Sequence, residues 1–173
     1  METTLDKMTI QELIKRSGFN KNTFYYHFTD KYNLVITAFQ YGVYDSCGKG
    51  IFQLTSSDFP AFAAHLVNNR KFYLKIIDSI HGQLFKEFLH NVYEEAITKE
   101  VDLVVAGYPD REKRSEKAHF LVSYFTSACF YSVLKAIEFE SKVSDDADMR
   151  AEFYLLKKNM THDLIRISIE KFT

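Results

Sequence analysis

Two Glu-x-x-His pairs, Glu87/His90 and Glu116/His119, are the sequence's nearest approach to a metal centre. Carboxylate-bridged two-metal bundles use two such pairs, with one further Glu from each of two other helices. Here the pairs fall on consecutive expected helices, and no matching glutamates stand out. In a chain with 12 Glu and 6 His, such spacings arise easily by chance. A di-metal helical bundle is the weakest reading, and no metal or cofactor is expected. No Ser/His/Asp set, glycine-rich phosphate loop or Cys/His nucleophile pattern stands out either, so no catalytic residue and no enzyme are expected. His65 and His81 stand alone and read as satisfied core or surface histidines.

The segment that carries recognisable chemistry is 9–31, TIQELIKRSGFNKNTFYYHFTDK. Between positions 15 and 31 it holds Lys15, Arg16, Lys21 and Lys31 against Asp30 alone, in a chain of net charge −1. Bulk charge therefore does not draw this protein to a polyanion; a local patch has to. Lys21, Asn22, Thr23, Tyr25 and Tyr26 add donors, an amide and rings, with no acid among them. Such side chains suit phosphates and the base edges of the major groove.

These residues must be held by helices. Apolar residues recur at spacings of three and four, and there are only two prolines and six glycines, so an all-α fold is expected. Thr9 caps a first helix with Glu12 as capping-box partner, and Gly18 suits a left-handed turn after it. Asn20 caps a short second helix with Phe24 and Phe28 at i and i+4. A third helix starts near Asp30 and runs to about Cys47. This is the helix-turn-helix layout, whose second helix enters the groove. Gly48, Gly50 and the 55–60 stretch mark a boundary, giving domains 1–48 and 49–173. Further helices are expected at about 59–68, 70–80, 83–106, 111–140 and 146–172. In the last, Phe153, Leu156, Met160, Leu164 and Ile167 form one apolar stripe.

At this point the sequence resembles the TetR family of transcriptional regulators. The resemblance rests on Ser17-Gly18, Thr23-Phe24-Tyr25-Tyr26-His27-Phe28, Lys31 and Leu34, all in register with that family's signature. It covers about 5–34; elsewhere the agreement is in helical character, with 69–77 (NRKFYLKII) similar to one ligand-domain subtype. It implies that Thr9, Tyr25, His27 and Lys31 touch phosphates. It implies that Lys21, Asn22, Thr23 and Tyr26 face bases or the nearby backbone, and that Phe19, Phe24 and Phe28 are core. The family also places a full helix ahead of the segment matching 5–9, where this sequence has only 1–4. The first helix is thus missing or truncated: either the natural start lies upstream, or the chain is cut short and its grip on DNA suffers.

The expected protein is a ligand-responsive DNA-binding repressor with a double-stranded DNA operator, a small-molecule effector and a homodimeric state. The alternative is a regulator-derived adaptor that binds a protein and no DNA. The effector pocket is expected within 59–140, with Tyr73, Phe85, Tyr93, Tyr124 and Phe130 as its wall. The dimer is expected to use the last two helices, where Ser123, Ser127, Ala128 and Ser132 permit close approach. Cys47 and Cys129 lie far apart and suggest a reducing cytoplasm. Residues 1–7 are short and polar, so no signal peptide is expected. The apolar stretch 120–137 is interrupted by Ser123, Tyr124, Thr126, Ser127, Tyr131, Ser132 and Lys135, which argues against a membrane span.

Overall fold

Three helix starts are fixed by the side chains just ahead of them. Thr9, Asn20 and Asp30 each accept from a backbone N–H three residues on, at 3.1 Å from Glu12, 2.8 Å from Thr23 and 2.8 Å from Asn33. Each thereby satisfies a donor that the first helical turn leaves open. The computed structural model describes residues 5–106 and 111–139. Among these lie α1 (Ile10–Ser17), α2 (Lys21–His27), α3 (Lys31–Cys47), α4 (Phe59–Asn68), α5 (Arg70–Ile77), α6 (Gly82–Val105) and α7 (Arg111–Phe139). No strand occurs among the described residues, and the fold is all-α. The expected helix over 146–172, with its apolar stripe, lies outside them.

Gly18 ends α1 at φ 74°, a left-handed conformation that glycine adopts at no steric cost. The expected helix over 70–80 is shorter than the spacing suggested and stops at Ile77. Ser79 explains the stop. Its hydroxyl donates to the Ile76 carbonyl at 2.6 Å, and its oxygen accepts from the His81 N–H at 3.2 Å. The side chain thus competes for backbone groups that a continuing helix would use.

The core is built mostly beyond the first two helices. Phe39 and Val43 of α3, Phe62 and Leu66 of α4, Tyr73 and Ile76 of α5, and Phe85, Leu89 and Ile97 of α6 are all buried together. Val133 and Ile137 of α7 complete the cluster. His90, near the start of α6, meets Phe130, towards the end of α7, and the short link between Val105 and Arg111 joins the opposite ends. The two longest helices therefore run antiparallel. By length and composition alone, Ser115–Glu138 of α7 could cross a membrane, with a mean hydropathy of 1.4. Its Leu121, Phe125, Val133 and Ile137 are instead spent on this core.

One buried group is a standing cost. Thr126 on α7 is only 1% exposed, and among the described residues its hydroxyl has no hydrogen-bond partner. An unsatisfied buried polar group costs about 1–3 kcal/mol. Thr126→Val, which keeps the shape, is expected to raise stability by about 1 kcal/mol. The urea midpoint should rise at unchanged slope; a fall of similar size would refute the assignment.

Candidate nucleic-acid interface

The second helix sorts its seven residues by face. Phe24 is buried and Phe28 follows four residues on, with ring centroids 5.4 Å apart. Lys21, Asn22, Tyr25 and Tyr26, at i, i+1, i+4 and i+5, lie on the opposite side and are exposed. Tyr26 is 85% exposed and meets the His27 ring edge-on at 4.9 Å. The Lys21 ammonium stands 5.9 Å from the Tyr25 ring centre. Thr23 is turned inward by its cap, its hydroxyl donating to the Asn20 side chain at 3.1 Å.

Thr9 is likewise engaged. Its hydroxyl donates to Glu12 at 3.0 Å, and its backbone N–H donates to the same carboxylate at 2.7 Å. That backbone N–H first, then the hydroxyl, hold the Glu12 carboxyl below its usual range. The expected capping box is therefore formed. Lys15 and Arg16 are exposed at the end of α1, one turn link away from Lys21.

Two residues are placed differently from what the resemblance implies. Phe19 is 64% exposed rather than core, because it lies in the link between the caps Gly18 and Asn20, which no described element covers. Lys31 points inward: its ammonium donates to the carbonyls of Leu5, Asp6 and Met8 at 3.1, 3.2 and 3.0 Å. Those three bonds use all three of its donors. Lys31 therefore ties the entry segment to α3, and a phosphate would have to displace that tie.

Beside the burial of Phe39 and Val43 of α3 in the core, two hydrogen bonds tie the head to the 80–84 stretch. Asp6 accepts from the Ile80 N–H at 3.2 Å, and the Tyr32 hydroxyl donates to the Leu84 carbonyl at 3.0 Å. Tyr32 also lies against His81, ring centres 5.6 Å apart. The junction below α3 centres on His65, expected as a satisfied core or surface histidine. His65 is 8% exposed; its Nε2 lies 2.6 Å from the Tyr73 hydroxyl and its Nδ1 2.8 Å from Ser46 Oγ. Burial pushes the Tyr73 hydroxyl well up, so it stays protonated, and it shares one hydrogen bond with Nε2. Neither residue shows a motif; only the i, i+8 pairing across the α4–α5 bend brings them together.

Burial lowers the His65 pKa below 6.5, with Asp45 of α3 opposing it. The unfolded chain then takes up the proton first, so this contribution is full above about pH 6.5 and is lost as pH falls below that. Urea unfolding from pH 7.5 down to 5.0 is expected to show wild type losing stability more steeply than His65→Gln. Parallel curves would remove His65 from the account.

Of the expected pocket wall, Tyr73, Phe85 and Tyr93 are buried in the core, and Tyr73 stacks on Phe85 at 5.7 Å. Tyr124 faces outward. Phe130 does line a cavity, a groove of about 440 Å³ between α6 and α7. The other residues of that groove, among them Lys86 and His90, were missed because a polar stripe on a helix reads as a solvated face. The Glu-x-x-His pairs do not converge: Glu87 accepts from Gln83 at 2.9 Å, while His90 lies 3.9 Å from Glu94. Among the described residues, no three His, Cys, Asp or Glu side chains cluster to hold a metal.

A small acid-free face on α2, followed at once by a helix, α3, that is sunk in a larger helical core, is the plan of a two-part DNA-binding regulator. Sequence comparison agrees at both ends. Residues 2–38 match the bacterial regulatory proteins of the tetR family, and residues 57–147 match a transcriptional regulator C-terminal region. The chain belongs to the TetR family of transcriptional regulators. No curated protein and no solved structure matches it.

Proposed function

We propose that this regulator is a cytoplasmic repressor that binds its operator as a homodimer and is released by a small molecule. The observation that carries the DNA assignment is the outward face of α2. Lys21, Asn22, Tyr25 and Tyr26 are exposed together there, flanked by Lys15 and Arg16 and with no acid among them. In this reading Lys21, Asn22 and Tyr26 face the groove. Thr9, Tyr25 and His27 meet phosphates, and Thr23 serves the start of the helix. Lys31 acts as the brace of the head. The division falls at 48/49: residues 1–48 read DNA, while 49–173 bind the effector and the second copy.

The second copy is supported by α7. Phe120, Tyr124 and Tyr131 stand exposed at near-helical intervals beside Ser123, Ser127 and Ala128. Two such faces packed together would space two reading heads one DNA turn apart, about 34–36 Å. A monomer by light scattering at micromolar concentration would sink the dimer. An effector would release DNA only as far as it prefers the geometry that does not fit the operator.

The test of the reading face is selection of binding sites from random duplex DNA, followed by variants. Lys21→Ala or Tyr26→Ala is expected to change the preferred base at one position, by about 1–3 kcal/mol. Lys15→Gln and Arg16→Gln should weaken all sequences alike, since phosphate contacts carry no sequence information. If no sequence is enriched, the adaptor reading replaces this one, with the exposed rings of Phe19 and Tyr26 as its contact.

A further inference from the structure

The groove between α6 and α7 is built from two unlike parts. Its floor is apolar: Phe130 and Leu134 are nearly buried, and His90 stands edge-on to Phe130 at 5.3 Å. Its rim carries charges, and most of these already have a role. Glu87 accepts from Gln83 at 2.9 Å, and Glu138 accepts from Lys135 at 3.1 Å. Lys86 differs. It is half-buried at the groove wall, and among the described residues its ammonium meets no carboxylate and no other partner. An ammonium at the wall of an apolar groove with none of its hydrogen bonds taken by a carboxylate suits an anion that brings its own apolar body. The volume, about 440 Å³, is that of a small-molecule site.

We infer that this groove is the effector site and that its ligand is an organic carboxylate with an apolar or aromatic body, held by Lys86 over Phe130 and Leu134. The inference rests on the regulator reading above and gives that reading its ligand class. It also gives it a route. Lys86 lies on the first turns of α6, two residues after Leu84, whose carbonyl receives the Tyr32 hydroxyl of α3 at 3.0 Å. Burial, then the carboxylates of Glu87 and Asp30, raise the Tyr32 pKa, so this hydroxyl stays a donor and is within reach of the charges at the groove. Tyr32 directly follows Lys31, the brace of the reading head. A ligand that shifts the first turn of α6 thus acts on the root of the DNA-binding unit through one hydrogen bond.

The experiment titrates the full chain with 4-phenylbutanoate and with the uncharged 4-phenylbutanol, followed by calorimetry without DNA. The carboxylate is expected to bind about tenfold more tightly, the difference a charge-assisted hydrogen bond makes. Lys86→Gln should erase that preference while leaving the alcohol's affinity unchanged, and Lys135→Gln should keep it. Unchanged circular dichroism checks that the variants fold. Equal binding of acid and alcohol, a preference that survives Lys86→Gln, or no binding at millimolar concentration would each overturn the proposal. A second arm uses the selected operator: Tyr32→Phe is expected to bind the carboxylate as wild type does but to release DNA at least about tenfold less readily. Release unaffected by Tyr32→Phe would overturn the route. Absence of any DNA binding would leave the calorimetric result standing and would count against the regulator reading instead.

Discussion

Phe39→Ala is expected to cost about 3–5 kcal/mol, a large share of the 5–15 kcal/mol that stabilises a typical domain. Phe39 is fully buried and meets the rings of Phe62, Tyr73, Phe85 and Phe88 at centroid distances of 6.0, 5.6, 5.4 and 5.8 Å. Those rings come from α4, α5 and α6, so no single helix can move in to fill the space. Phe39 is also the deepest anchor of α3, the helix that carries the reading head. The variant should therefore loosen the head along with the core. Urea unfolding gives the cost directly; a loss under about 1.5 kcal/mol would mean that the site collapses freely and that Phe39 is not the hub.

Gly42→Ala is expected to destabilise by about 1–3 kcal/mol, against the helix-propensity gain of about 1 kcal/mol that alanine brings to an ordinary helix interior. The reason is His65. A β-carbon at position 42 would stand 2.7 Å from its Cε1 and 3.0 Å from its Nε2. The ring cannot swing aside without breaking its bonds to Ser46 and Tyr73. Gly42 is thus what lets α3 lie against α4. Pairing the change with His65→Ala should recover much of the loss, because the clash and its obstacle disappear together. Double-mutant analysis reads this as a coupling of about 1 kcal/mol or more. Strict additivity, or a stabilised Gly42→Ala, would contradict the close approach.

How much of this was legible in the sequence depended on how local the cause was. The starts of α1, α2 and α3 were legible because a cap and its partner lie three residues apart, so Thr9–Glu12 and Asn20–Thr23 announce themselves. The inward and outward faces of α2 followed from Phe24 and Phe28 at i, i+4. Long-range choices were not legible. Lys31 reads as a phosphate contact, and nothing near it in sequence announces the three carbonyls that the entry segment brings to its ammonium across more than twenty residues of chain. Tyr73, Phe85 and Tyr93 have the composition of a pocket wall, and their burial in the core is set by tertiary packing that composition does not reveal. Phe130 reached the groove because α6 leaves a polar stripe opposite it, a pairing across two helices that neither periodicity reveals.

The central claim is that the exposed face of α2 binds DNA through its local cations. The most direct measurement is the affinity of the full chain for its selected duplex from 50 to 200 mM salt, beside the variant Lys15→Gln/Arg16→Gln/Lys21→Gln. Log affinity is expected to fall linearly with log salt, and the variant's slope to be shallower by about 0.9 for each cation that meets a phosphate. Wild type and variant sharing one slope, or affinity that does not depend on salt, would contradict it.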